Sequence, residues 1–248
     1  MEICIISYNI EGITLEKNYC KDQSLKNYII NKSEYLKKYL PELDADIICI
    51  QEYTPILLLE LEDYYCVKEN TNAIFFRKNK FIYIDHVINQ TIGLFVILKT
   101  NNIIIEIGTH RFPPYSENCN VRRKILKKLD KKAKNKLLIF AADTNTRDFE
   151  EYELDNLTDC FHGAYIREGC FTLDKTTNPY FFGDNCNKNK NKKRTRYDKI
   201  YYTNFFKCQK IKVIEPKADN NLIHSIYPYG NISDHYPLMA NLVIVIKE

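Results

Sequence analysis

Six short polar clusters punctuate this chain, and each closes or opens an apolar run of strand length. They are Asn9 in Ser7-Tyr8-Asn9-Ile10, Glu52 after Ile50-Gln51, His110 in Gly108-Thr109-His110, Asp143 and Asn145 in Ala142-Asp143-Thr144-Asn145, Asp198 in Arg196-Tyr197-Asp198, and Asp234-His235. Short apolar runs rich in β-branched residues and bounded by polar ones are the pattern of buried strands. Polar groups placed repeatedly at such strand ends constrain the chain to a β-structure whose distant loops converge on one rim. The 248 residues suffice for one large core, and with no break in composition a single domain over residues 1–248 is expected.

Periodicity supplies the elements. Residues 2–6 read as a buried strand, and residues 24–40 carry Leu25, Tyr28, Ile29, Leu36 and Tyr39 at helical spacing, with Pro41 expected to end the helix. Residues 46–50 form a second buried strand, with Gln51-Glu52 just past its end. Strands are expected at 73–77, 81–86, 93–99 and 102–109, the last two joined by a Thr100-Asn101 turn. A basic helix at 119–133 turns Val121, Ile125, Leu126 and Leu129 to a core, and further strands follow at 137–141, 199–202, 209–214 and 238–246. Residues 178–193, rich in Asn and Lys without periodicity, read as a mobile loop. Strands grouped with few helices between them predict two packed mixed sheets with helices outside, not a doubly wound parallel sheet.

Composition narrows the setting. The net charge of +4 is modest, but the basic residues bunch at 122–136 and 188–196, which keeps a polyanion partner open; the bland reading of each is a solvated face or loop. Nine cysteines without CxxC or zinc spacing suit a reducing compartment rather than a disulfide framework. The short Ile3-Cys4-Ile5-Ile6 run is no signal h-region, and no apolar stretch reaches membrane-spanning length. The chain therefore reads as soluble and intracellular, nuclear or cytoplasmic, not secreted, with no membrane partner.

The clusters also suggest chemistry. Magnesium takes hard oxygen ligands and is usually held by one or two carboxylates plus substrate phosphate, and Glu52 is the best candidate ligand. A carboxylate two residues from an amide, as in Asp143 and Asn145, can activate a water while the amide holds a phosphate oxygen. Asp234 adds a carboxylate near the metal waters. If Asp198 accepts a hydrogen bond from His235, it fixes the ring tautomer and favours the imidazolium. Taken singly, an acid after an apolar strand is most often a cap or turn former, and His110 alone reads as a core histidine. The order of the whole set carries the functional reading.

That order resembles the endonuclease/exonuclease/phosphatase superfamily along nearly the whole chain. Within it, Asn9-Ile10-Glu11-Gly12-Ile13, the strand ending in Gln51-Glu52, the string from Phe140 through Asp143-Thr144-Asn145-Thr146-Arg147-Asp148, and Arg196-Tyr197-Asp198-Lys199-Ile200 are most similar to the type 2 tyrosyl-DNA phosphodiesterase family. The resemblance implies an α/β (α+β) fold, a DNase I-like four-layer αββα sandwich of two mixed β-sheets flanked by helices. It also implies a magnesium-dependent enzyme, with manganese able to substitute, that acts as a monomer. Its reaction would be hydrolysis of the bond between a tyrosine, or tyrosine-linked peptide, and the 5′ end of DNA or RNA, leaving a 5′-phosphate. Carried over by residue, Glu52 would bind the metal, with Asn9 on metal water or phosphate and Asp234 in its outer shell. Asp143 would activate water, Asn145 and His235 would stabilise the phosphorane, Asp198 would support His235, and His110 would touch the phosphate. Arg147, Ser116, Thr144 and Leu173 would lie on the substrate side, and on the basic helix Arg122 or Arg123 would point inward as a structural or phosphate-side residue.

The chain departs from that family in four places. Phe171-Thr172-Leu173-Asp174 replaces Tyr-Thr-Trp-Asp in a chain without tryptophan, His110-Arg111-Phe112-Pro113-Pro114 replaces a strand-ending His followed by Leu-Glu-Ser-Thr, and Tyr236-Pro237 replaces Trp-Gly. The 178–193 loop, ending in Lys192-Lys193 before Arg194, has no counterpart. Competing readings are a nuclease of the exonuclease III or DNase I type, a phosphoinositide phosphatase, and an inactive module that binds nucleic-acid ends.

Overall fold

Apolar residues on both sides of the central strands decide the layering. The computed structural model describes residues 1–147, 150, 152–169, 171–174, 177–178, 194–216, 219–222 and 232–245. In chain order the elements are β1 (Glu2–Asn9), α1 (Gly12–Tyr19), α2 (Lys26–Glu42), β2 (Ile47–Gln51), β3 (Tyr64–Glu69), β4 (Asn72–Arg77), β5 (Ile82–Asn89), β6 (Gly93–Thr100), β7 (Ile103–Thr109) and α3 (Cys119–Ala133). There follow β8 (Leu138–Asp143), β9 (Thr158–Asp159), α4 (Cys160–Gly163), β10 (Ile166–Glu168), β11 (Leu173–Asp174), β12 (Arg194–Thr195), β13 (Asp198–Tyr202), β14 (Phe206–Val213) and β15 (Leu238–Ile244).

One mixed sheet has the order β10-β14-β15-β1-β2-β4-β3 and the other β5-β6-β7-β8-β13-β9. Ile3, Ile5, Ile47 and Ile74 of the first meet Val96, Ile107, Ile139 and Ile200 of the second in the core between them. The alternate residues Ile6, Tyr8, Ile48 and Ile50 are covered by Leu15 of α1 and by Leu36 and Leu40 of α2. On the far side, Phe95, Phe140 and Ala142 pack under Ile125, Leu126 and Leu129 of α3. This is the expected αββα sandwich, and burial on both faces is why β1, β2 and β8 read as unbroken apolar runs.

Several boundaries differ from the sequence reading. Pro41 does not end α2, which runs to Glu42; the donor missing from Pro41 costs little in the last turn, and Leu43 N to Leu40 O and Asp44 N to Pro41 O close the end. The β6–β7 turn is Asn101-Asn102, both at positive φ (46° and 62°), a conformation asparagine tolerates better than the threonine assigned there. β1 extends to Asn9, β5 to Asn89 and β8 to Asp143, and Gln51 lies inside β2. The sequence reading had no α1, no β3 and none of the two- or three-residue strands. Residues 179–193, Asp148 and Ile246 lie outside the described residues. The seven cysteines described are free thiols. Among the described residues no helix is long and apolar enough to cross a membrane.

Candidate metal and phosphate site

Strand direction gathers the polar clusters. β1 and β2 run parallel, as do β7 and β8, so Asn9, Glu52, His110 and Asp143 all sit at carboxyl ends. β13 and β15 run antiparallel to β8 and β1, which brings the start of β13 and the segment before β15 to the same rim. Asp198 pairs in register with Asp143, and Leu238, three residues after His235, pairs with Ser7. Gln51 stitches the sheets together there, its Nε2 donating to Ser7 Oγ at 3.2 Å, Thr109 Oγ1 at 2.9 Å and Ala141 O at 3.2 Å.

Asn9 is the hub. Its Nδ2 donates to Glu52 Oε1 at 3.1 Å and to Asp143 Oδ2 at 3.0 Å, while its Oδ1 accepts from the Glu11 backbone at 2.9 Å. The Asn145 amide likewise donates to Asp143 Oδ2 at 2.9 Å and to Phe112 O at 3.1 Å, and Asn145 N donates to Asp143 Oδ1 at 3.0 Å. Both amides thus align carboxylates in this arrangement. Glu52 and Asn145 hold left-handed backbone (φ 56° and 49°), a strain that concentrates at functional turns. Gly12 makes room: a Cβ there would lie 2.1 Å from Glu52 O.

His235 Nδ1 lies 2.7 Å from Asp198 Oδ2, and Ser233 ties this segment to β1 by donating to Asn9 O at 2.7 Å. Burial by itself would lower the His235 pKa, but Asp198, Asp234 and Asp143 together raise it well above the ordinary value. The ring is therefore an imidazolium at neutral pH. Burial pushes the Asp143 carboxyl up to about 7; Asp198 adds to the rise, and His235, Arg111 and Asn9 oppose it. Asp143, Asp198 and His235 bring ligand atoms within 4.8 Å of one another. Glu52, Asp143 and Asp234 offer carboxylate oxygens beside this group, the hard donors that a dication takes. The donor chemistry suits magnesium.

Other expected residues fall differently. Burial, followed by Arg111, lowers the His110 pKa to about 4; its ring packs on Phe112 at 5.6 Å and its buried Nδ1 has no hydrogen-bond partner among the described residues. It is a neutral ring at the rim. Arg147 lies over the Tyr197 ring at 4.6 Å, Tyr197 lies beside His235 at 6.1 Å, and Arg147 Nη1 is buried without a hydrogen-bond partner among the described residues. Thr144 and Arg122 are fully buried, and both are engaged with protein partners. Thr144 Oγ1 donates to Tyr197 O at 2.8 Å. Arg122 pairs with Glu150 and donates to Pro113 O at 2.9 Å and Tyr115 O at 2.6 Å; it holds the 113–115 loop. Leu173 is buried in β11 opposite Thr195, and exposed Ser116 makes a single weak contact with Glu117 at 3.5 Å, so neither joins the cluster.

The sequence reading missed two cations. Lys32 is fully buried on α2, its Nζ without a hydrogen-bond partner among the described residues; burial lowers its pKa, and Glu11, Asp234 and Glu52 oppose that shift. The legible signal was a lysine on the stripe Tyr28, Ile29, Ser33, Leu36, Leu40. Arg111 Nε sits 2.6 Å from Glu52 Oε1 and 3.8 Å from Asp143 Oδ2. A charged residue directly after a strand-ending histidine was its signal.

A model of the Endonuclease/Exonuclease/phosphatase family matches residues 6–235. No curated protein matches the chain by sequence. Among solved structures, D. rerio TDP2 complexed with single-strand DNA product is similar with a TM-score of 0.73 at 19% identity over 98% of this chain and 99% of that one. Truncated Caenorhabditis elegans TDP2 gives 0.69 at 19% identity over 98% of both chains. The mannosyl-6-phosphatase Bt3783 of Bacteroides thetaiotaomicron gives 0.67 at 16% identity over 98% of this chain and 100% of that one. At these identities the likeness establishes the fold.

Proposed function

This chain belongs to the endonuclease/exonuclease/phosphatase family, and on that premise we propose that it is a magnesium-dependent phosphodiesterase hydrolysing the 5′-phosphotyrosyl bond between protein and a DNA or RNA end, leaving a 5′-phosphate. The observation that carries this reading is the hydrogen-bonded relay from Glu52 through Asn9 to Asp143, set beside the Asp198–His235 pair. The Asp143-Thr144-Asn145-Thr146-Arg147-Asp148 string supports the tyrosyl substrate class, and so does the TDP2 likeness, which includes a complex with single-strand DNA product.

In this reading Asp143, aligned by Asn9 and Asn145, orients the attacking water and takes its proton; a carboxyl with a pKa near neutrality is matched to that task. Asp198 fixes His235 so that Nε2 faces the phosphate, where the imidazolium offsets growing negative charge. Arg147, whose guanidinium lies over the Tyr197 ring beside His235, adds positive charge on the substrate side. Glu52 would hold magnesium with Asp234 toward its waters, and the ion supplies Lewis-acid neutralisation at the phosphoryl oxygens. The departing tyrosine phenolate, with a conjugate-acid pKa of about 10, needs no general acid.

Parallel assays with magnesium on a 5′-phosphotyrosyl oligonucleotide, an abasic-site duplex and mannose 6-phosphate test this. The tyrosyl end is expected to turn over fastest. Faster incision of the duplex would replace the reading with a nuclease, faster release of phosphate from the sugar with a phosphatase, and binding of the oligonucleotide without turnover with an inactive end-binding module.

A further inference from the structure

We propose that Arg111 is a displaceable internal cation that occupies Glu52 and competes with the divalent ion for it. This rests on the metal reading given above. The Arg111 backbone is fixed: it bridges to Asp143, Phe112 N donates to Asp143 O at 2.8 Å, and Phe112 O accepts from Asn145. Its side chain therefore springs from backbone bridged to the end of β8 at Asp143, which keeps it at the rim. The guanidinium nevertheless holds Glu52 loosely. Nε stands 2.6 Å from Oε1 but makes no hydrogen bond of proper direction with any described residue, and the side chain keeps 30% of its surface exposed. That geometry describes a charge contact that can be surrendered, unlike the buried Arg122–Glu150 pair.

The competition follows from where the contacts fall. Among the described residues Asn9 and Arg111 both reach Glu52 through Oε1. A dication on this carboxylate would face a guanidinium within a few ångströms, with little water between them to screen the repulsion. One cation must yield, and the partly exposed arginine can. Its exit is short, because Asp143 Oδ2 already lies 3.8 Å from Nε and a bound anionic ester would offer a second resting place. Arg111 thus spares the rim an uncompensated Glu52 before the ion arrives, and it weakens the ion's hold by the same interaction.

The test is direct binding of Mn2+, followed by electron paramagnetic resonance of the free ion, to the full chain and to Arg111→Gln, with Arg123→Gln on the exposed face of α3 as control. For a partly exposed pair, the expected gain in Arg111→Gln is roughly fivefold tighter binding, with the control unchanged. Thermal melting of both variants guards against a folding defect, and Arg111→Lys, which keeps the charge, is expected to bind as the parent does. Equal affinity in parent and Arg111→Gln would overturn this inference alone and leave the metal reading standing. Absence of Mn2+ uptake by any of the proteins would overturn both.

Discussion

At the scale of single residues the site is a set of charges held away from their solution behaviour, and pH exposes them. Catalysis as proposed needs Asp143 ionised and His235 protonated. The acid limb of kcat/KM is expected at or below about 7, since any cation on the same oxygens pulls the Asp143 pKa down, and the basic limb well above the ordinary histidine range. Asp198→Asn removes the strongest upward pull on His235, so its basic limb should move toward neutrality; a pH–rate profile reads this. Asp143→Ala and His235→Ala should each lose about 10²–10⁴ in kcat. The same shift makes a stability statement. An aspartate whose folded pKa is raised contributes stability below its unfolded pKa of about 3.9, and loses it as pH rises through about 7. A divalent ion should therefore raise Tm more at pH 8 than at pH 5, as differential scanning fluorimetry can record. Lys32 predicts a trade-off. Replacing Lys32 by Met relieves a buried amine but strips Glu11, Glu52 and Asp234 of their counter-charge, so hydrolysis should fall in a steady-state assay even where thermal melting shows the fold kept.

Among elements, the loops are as consequential as the strands. Arg122, read from sequence as a structural or a phosphate-side residue, anchors the 113–115 segment from inside α3. Truncating it to Ala should cost about 3–5 kcal/mol, because Glu150 would remain buried and unpaired, and Arg122→Met with Glu150→Leu should recover much of that in denaturant titration. Helix α3 has its expected span because its apolar stripe and basic face alternate at helical spacing, although Val121, expected to face the core, is exposed in the first turn while Ile125, Leu126 and Leu129 are buried. Strand β3 was not legible, since Tyr64–Glu69 is an edge strand alternating irregularly between buried and exposed positions. Pro41 misled because a missing donor matters little where helical bonds are already ending. Thr144 and Leu173 show a different separation: a motif fixes which residues are present, while packing decides how deeply each is buried.

For the molecule as a whole, the sandwich and the set of rim acids could be read from polar punctuation after apolar runs, because a strand buried on both faces has only its ends to offer to solvent chemistry. The partnering of the two asparagines, the arginine on Glu52 and the lysine beneath the rim could not, since each depends on tertiary proximity that no spacing encodes. Removal of divalent ions with EDTA should abolish hydrolysis while leaving far-UV circular dichroism unchanged, because both sheets close without the rim. Strand β15 lies between β1 and β14 in the middle of its sheet, yet it and the Asp234-His235 pair before it come near the end of the chain. Closing the gap between β1 and β14 and delivering the ring to Asp198 are therefore one event, so the sheet cannot be completed without completing its rim.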